Sequence, residues 1–279
     1  MQVKMLIKKC KLVLGGFLVG LVLLCTATTS IAANDTSASV MRLEKTTGEV
    51  TLTSSSGKAS QIIEKMRLNS GDDIKSQSKS YAYISLDESK AVKLDANSEA
   101  TVNKSGNKLK VELKSGNLIF DVEKALKSYE SLEIQTANMT MGIRGTCAQV
   151  EVRSANVTSI SLLDGSLSCT VTDRNTGRSQ SITLSAGDHA DFCTGPGYLN
   201  NCQIITRKAV TKDVRGFALD YIYDKVSLSQ KIYDQSGLDF RYISRKQVDD
   251  RISLDEGGGS VTINTGRTSP EARYYYGGN

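Results

Sequence analysis

Short alternating runs separated by glycine turns dominate residues 41–192, and they leave few folds open. In Ser80–Leu86, Tyr81, Tyr83 and Ser85 fall on one side, and Ala82, Ile84 and Leu86 on the other. Leu109, Val111 and Leu113 alternate with Lys108, Lys110, Glu112 and Lys114. Leu132 and Ile134 alternate with Glu133 and Gln135, and Val150 and Val152 with Gln149, Glu151 and Arg153. A strand turns successive side chains to opposite faces, so this period marks sheets with one apolar and one wet face. That is the habit of antiparallel sheets packed on one side. Leu-x-x-Gly recurs at Leu68/Gly71, Leu113/Gly116, Leu162/Gly165 and Leu184/Gly187, each glycine followed by Asp, Asn or Ser. Glycine takes positive φ at no steric cost, so each copy reads as strand, turn, strand. The spacings are irregular, which speaks against a solenoid. The expected fold is all-β, an antiparallel sandwich or roll of short strands.

The flanks differ. Lys4, Lys8, Lys9 and Lys11 precede an apolar run of 14 residues, Leu12 to Cys25, and Ser30-Ile31-Ala32 offers small residues for a signal peptidase. Met1–Ala33 therefore reads as a cleaved secretory signal. The run is short for a membrane anchor, which takes ~20 apolar residues. Leu24 before Cys25 is too large for lipoprotein processing, and Cys10 lies in the basic n-region. After Cys202 the pattern changes. Asp213 to Tyr233 reads as helical, with Ala218, Ile222 and Val226 spaced by four and Tyr221 and Leu228 beside them. The segment 193–256 is thus a partly helical C-terminal part, and 257–279, glycine- and tyrosine-rich, reads as a disordered tail.

Cleavage changes the charge argument. The chain has 35 basic and 30 acidic residues, and the signal carries four lysines and no acid, so the mature chain is near neutral. It lacks the basic footprint that nucleic acid requires. Four cysteines remain after cleavage: Cys147, Cys169, Cys193 and Cys202. An even count in an exported chain predicts two disulfides, with three connectivities open. Cys193 and Cys202 enclose a turn-rich loop that they would close, which leaves Cys147 and Cys169 for a strand-to-strand bridge. No C-x-x-C pair exists and His189 is the only histidine, so no zinc ligand set is present.

Catalytic sets are missing from the pattern. His189 lies on a predicted turn, and no G-x-S-x-G elbow supplies a serine for it. Asp72/Asp73 and Asp249/Asp250 read as solvated turn charges. Asp72, Asp73 and Asp188 match no calcium-loop spacing. Gly257-Gly258-Gly259-Ser260 lacks the lysine of a phosphate loop. The sequons at Asn103, Asn138 and Asn156 carry little weight. No cofactor or metal is expected.

The segment Gln135 to Thr146, running into Cys147-Ala148-Gln149-Val150, resembles the FecR domain, a bacterial envelope module. Ile143-Arg144-Gly145-Thr146 and Val150 stand where the family has its Val/Ile-Arg-Gly-Thr and its valine. Leu68-Asn69-Ser70-Gly71-Asp72-Asp73-Ile74 resembles the family's early turn, and Leu184-Ser185-Ala186-Gly187-Asp188 its closing one. Two positions depart: Ala137 replaces the usual proline and Ala148 the usual aromatic, with Cys147 as a local substitute staple. Gly145 between two strands predicts a bulge or a close backbone approach. Arg144 is expected to lie over the sheet and bond turn carbonyls, or else to grip a partner's carboxylate.

The resemblance implies a non-enzymatic, exported module of the bacterial periplasm that binds an envelope protein or a glycan. The best-known relatives join a cytoplasmic anti-sigma domain, one membrane helix and an external FecR domain. This chain has about ten residues before its apolar run, too few for such a cytoplasmic domain. A membrane-anchored relay, with the first segment uncleaved in the inner membrane, and a polysaccharide-acting envelope enzyme are the alternatives.

Overall fold

The computed structural model describes residues 40–257. The predicted signal segment and the tail from 258 onward lie outside the described residues. In chain order the strands are β1 (Arg42–Thr47), β2 (Val50–Thr53), β3 (Ala59–Ser60), β4 (Met66–Arg67), β5 (Asp72–Ser76), β6 (Tyr81–Asp87), β7 (Lys90–Leu94), β8 (Glu99–Ser105) and β9 (Lys108–Val122). They continue as β10 (Ser131–Gln135), β11 (Met139–Ile143), β12 (Cys147–Ser154), β13 (Val157–Asp164), β14 (Ser166–Thr172), β15 (Ser179–Ser185), β16 (Asp188–Thr194) and β17 (Cys202–Lys208).

Two sheets face each other and share β9. One runs β4-β1-β6-β7-β9-β12-β13-β16-β17. The other runs β3-β2-β5-β8-β9-β10-β11-β14-β15. The first half of β9, Lys108 to Ser115, pairs with β8, and its second half, Gly116 to Val122, pairs with β7 and β12. The bend is at Gly116, with φ +78°.

That bend is one of a set. The Leu-x-x-Gly copies are corners at which the chain leaves one sheet for the other, rather than hairpin turns within a sheet. Each leucine is buried in the shared core, and Gly71, Gly116, Gly165 and Gly187 all take positive φ. A side chain at Gly116 would lie 2.3 Å from Ser98 Oγ, and one at Gly165 would lie 2.4 Å from the Gly145 carbonyl oxygen. Both positions therefore need glycine for its φ and for the close approach.

The sandwich departs from the expected antiparallel order at one place. β10 pairs parallel to β9, Ser131 opposite Lys108. β9 ends in the opposite sheet, so residues 123–130 must carry the chain back to the strand's start before β10 can form. A second departure is β17, which extends the sheet after Cys202, where the alternation had been read as ending.

Inward side chains of both sheets form the main core, including Leu43, Ile84, Leu94, Val111, Phe120, Val150, Ile160, Val171 and Phe192. A second apolar cluster lies on the outer face of the first sheet. There Ile119, Cys147 and Leu163 meet Phe217, Ile222, Ile232 and Val248 from α1 (Gly216–Tyr223), α2 (Val226–Ser236) and α3 (Arg245–Asp255). This sheet is therefore covered and the other is bare. The expected single helix is broken at Lys225, whose ammonium is drawn to Asp121 and Glu123 at 3.0 and 2.8 Å. The break puts Val226 outside the stripe, 81 % exposed. Gly237, at φ +76°, closes α2, and a Ser244/Gln247 capping box opens α3.

Candidate functional site

The Ile143-Arg144-Gly145-Thr146 motif is the corner that carries the chain from β11 in the bare sheet to β12 in the covered one. Ile143 and Thr146 are buried. Gly145 has φ +151°, and a side chain there would lie 3.3 Å from Ala125 Cα. The strap 123–130 is tied to this corner: Val122 N–H donates to the Thr146 carbonyl at 3.0 Å and Leu126 N–H to the Arg144 carbonyl at 3.0 Å. The expected close backbone approach is thus present, against both the strap and the Gly165 corner. Arg144 behaves differently. Its side chain is exposed and makes no hydrogen bond or ion pair with the described residues. It does not bond turn carbonyls as one sequence reading expected. Lys124, Lys127 and Tyr129 of the strap are exposed as well, with the Lys127 ammonium 5.7 Å from the Tyr129 ring. The corner and the strap bonded to it therefore expose Arg144, Lys124, Lys127 and Tyr129 to solvent.

The disulfide candidates are corrected. Cys147, Cys169, Cys193 and Cys202 are all free and buried. In the β16–β17 ladder Cys193 stands opposite Gln203, and Cys202 opposite Thr194. That offset of one residue turns the two side chains to opposite faces, because strand side chains alternate. Cys202 and Cys169 point into the sandwich core, whereas Cys147 points into the helix-facing cluster. The loop between Cys193 and Cys202 is closed instead by backbone bonds, Gly195 N–H to the Asn201 carbonyl at 3.0 Å among them. Burial pushes the Cys169 thiol up to about 12 and raises Cys147 well above its ordinary value, beside Asp121 and Asp164.

His189 sits in a polar ladder on the outer face of the covered sheet. Ser161 is opposite His189, and Ser159 opposite Asp191. His189 Nδ1 is 2.9 Å from Ser161 Oγ. Its Nε2 is 3.4 Å from Asp191 Oδ1 without hydrogen-bond geometry, and has no hydrogen-bond partner. His189, the Ser159 hydroxyl and Arg153 outweigh burial and hold the Asp191 carboxyl down at about 2. A serine from the neighbouring strand and a carboxylate two residues along its own strand thus flank the histidine, which sequence reasoning missed because it placed His189 on a turn. Ser161 is only 2 % exposed. Above the ladder, Gln149 accepts from Arg215 N–H at 2.9 Å and donates to the Asp213 carbonyl at 3.2 Å, seating the loop that leads into α1. The remaining cavity is about 160 Å³, and its acids are matched: Asp213 by Arg207, Asp255 by Arg251, Glu151 by Arg153. The ladder is built as a seat for that loop.

Lys93, also unforeseen, is the largest fully buried side chain. Its ammonium donates to the Phe217 carbonyl at 2.7 Å and to Asp220 Oδ2 at 2.6 Å, with the Tyr81 and Tyr83 rings 5.2 and 4.8 Å away. Burial lowers the Lys93 pKa. Burial would raise Asp220, but Lys93, Arg245 and the Tyr83 hydroxyl outweigh it and hold that carboxyl at about 2. This pair pins α1 to the sheet.

Residues 72–168 match the family model described as FecR protein. The chain carries a FecR domain. The match runs from β5 into β14 and contains the bend of β9, the strap and the Arg144 corner. The sandwich continues beyond the matched FecR segment on both sides, through β1 and β17. No curated protein matches the chain. Two crystal structures of a "putative anti-sigma factor" from Parabacteroides distasonis ATCC 8503 are similar to it. One has 13 % identity and a TM-score of 0.43, covering 58 % of this chain and 75 % of that one. The other has 12 % identity and a TM-score of 0.43, covering 74 % of this chain and 99 % of that one.

Proposed function

We propose that this chain is a non-catalytic FecR-domain module, exported to the bacterial periplasm, that binds an acidic surface of an envelope protein in a signalling pathway. The observation that carries this reading is the Arg144 corner. Three of its four motif residues are spent on shaping the chain, while the guanidinium is left to solvent on a corner whose backbone bonds to the strap that carries the exposed Lys124, Lys127 and Tyr129. A planar guanidinium free of internal partners suits a bidentate grip on a carboxylate. The burial of Ser161 under the Gln149 seat favours binding over turnover at the one Ser-His-Asp grouping.

Envelope crosslinking tests the reading. A photo-crosslinking residue placed at Ser128 in the strap should capture one specific envelope protein in the wild type. Arg144→Glu should abolish that adduct while leaving the melting temperature unchanged. An adduct indifferent to Arg144→Glu would sink the proposal. Export has its own test, the intact mass of the protein isolated from the envelope. A chain starting at Ala33 or Asn34 is the expected result; a full-length mass would favour the membrane-anchored relay.

A further inference from the structure

The two sheets end in edges of different character. At the far side β3 and β4 are two residues each. β17 carries Arg207 and Lys208. Short strands and charges are the usual protection of an open edge. β15 has neither. Its seven residues, Ser179-Gln180-Ser181-Ile182-Thr183-Leu184-Ser185, hold no charge and no proline. They pair with β14 in unbroken register, without a bulge, and among the described residues no strand lies on the other side.

The backbone of this edge is ready for a partner strand. Ala186 N–H bonds to the Gly165 carbonyl. Antiparallel pairs alternate between hydrogen-bonded and open, so the amides of Ser179, Ser181 and Thr183 point away from β14. Only the Ser185 N–H is taken, by Asp188 at 2.9 Å. The outer face here is made of hydroxyls: Ser166, Ser168, Thr170 and Thr172 stand opposite Ser185, Thr183, Ser181 and Ser179. A hydroxyl both donates and accepts, so it pairs with its own kind. Thr170 with Ser181 and Thr172 with Ser179 already do so, each at 2.9 Å. On the inner face Ile182 packs against the sandwich core but is only half buried.

We propose that β15 is a self-pairing edge, through which two copies of this chain join antiparallel along Ser179–Ser185 about a twofold axis at Ile182. In that register residue 181 faces residue 183 of the second copy, and 179 faces 185. The 181–183 pairs exchange both bonds, and each 179–185 pair keeps the one from the Ser179 N–H, since the Ser185 N–H is held by Asp188. Ile182 meets its own copy in an open pair, where side chains approach most closely, and its uncovered half is buried. An edge with like charges, or a bulged one, could not repeat itself in this way; a neutral hydroxyl edge can. The pairing is isologous and closes at two copies. It is small for an interface, so a dissociation constant on the order of micromolar is expected.

Sedimentation velocity of the full protein over a concentration series tests this. The wild type should pass from monomer to dimer. Ser181→Lys combined with Thr183→Lys sets like charges against each other at both 181–183 pairs and should stay monomeric. Ser181→Glu combined with Thr183→Lys sets opposite charges there and should dimerise again, more tightly at low salt. Both positions are exposed, and circular dichroism with a urea midpoint checks that each variant folds as the wild type does. A wild type that stays monomeric overturns the proposal, including the case in which β15 serves a foreign strand. So does a double-lysine variant that still dimerises, or a folded Glu/Lys variant that does not.

Discussion

The outer faces of the two sheets start from the same backbone geometry and end in opposite chemistry. On the covered sheet, Ile119, Cys147 and Leu163 lie under three helices, and even a lysine, Lys93, is sealed from water. On the bare sheet, the same outward positions hold Ser168, Thr170 and Thr183, or charges such as Lys110 and Glu133. Covering a face removes water as a partner, so each polar group there needs a built one: Lys93 has Asp220 and Phe217, Gln149 has Arg215 and Asp213. The bare face has no such demand, and its hydroxyls are interchangeable.

Asp220→Ala should break this contrast most strongly. It leaves the Lys93 ammonium buried with only the Phe217 carbonyl, and losing one partner of a buried pair costs about 3–5 kcal/mol. Urea unfolding reads it directly. Thr170→Ala on the bare sheet should stay within about 0.5 kcal/mol of the wild type. If the two variants lose similar stability, the helices do not seal the covered face.

Acid sharpens the same comparison. Asp220 and Asp191, both on the covered side, are held near 2 against an ordinary 3.8. A depressed carboxyl contributes stability that is present above its unfolded value and lost as pH falls through the folded one. Stability should therefore fall as the solution goes from pH 3.8 down through about 2. Asp220→Asn should make that fall shallower, since one of the depressed carboxyls no longer titrates. An unchanged slope would mean that Asp220 does not feel Lys93.

The corners, which serve both sheets, come next. Gly165→Ala meets a backbone oxygen at 2.4 Å and a φ of +81°. A cost of about 1–3 kcal/mol in the urea midpoint is expected, whereas alanine at Gly177, which has open space, should lose less.

The same contrast decides what was legible in the sequence. Where one face is bare, alternation marks the strand: Leu109, Val111 and Leu113 lie inward as read, and so do Ala82, Ile84 and Leu86. Where both faces are buried, alternation disappears. Leu118, Ile119 and Phe120 are all sealed, the middle one toward the helices, and such a run carries no signal of which side is which. Lys93 looked like any solvated strand lysine. Its burial comes from α1, more than a hundred residues later, and nothing local encodes it. The Leu-x-x-Gly turns were visible as turns, but a glycine turn does not say whether the next strand stays in its sheet. His189 was found and its neighbours were not, because Ser161 reaches it through strand register and Asp191 shares its face only if His189 lies on a strand, not on the turn that was read there. Gly145 was read as structural from its place between two strands, while Ile143, Arg144 and Thr146 stood with it only as a motif resembling the family's. Only the packing separates Arg144 from them.

The smallest expected effect concerns the cysteines, and it tests register directly. Counting them pointed to two bridges, but a count ignores which way each side chain faces. Cys193 and Cys202 sit one residue out of register on neighbouring strands, so a bond between them would have to cross the sheet. Cys147 and Cys169 belong to the helix-facing cluster and the sandwich core, with the thickness of a sheet between those faces. All four thiols are buried, and Cys147 and Cys169 are held protonated, which keeps them poor nucleophiles for oxidation. Reductant should leave the melting temperature where it was, and the native mass should be that of four free thiols. A bridge lost to reductant would instead remove about 2–5 kcal/mol. A Cys193–Cys202 bridge would require β17 to slip by one residue against β16. That slip would also turn Ile204 out of the core and Ile205 into it, so the register and the redox state of this edge stand or fall together.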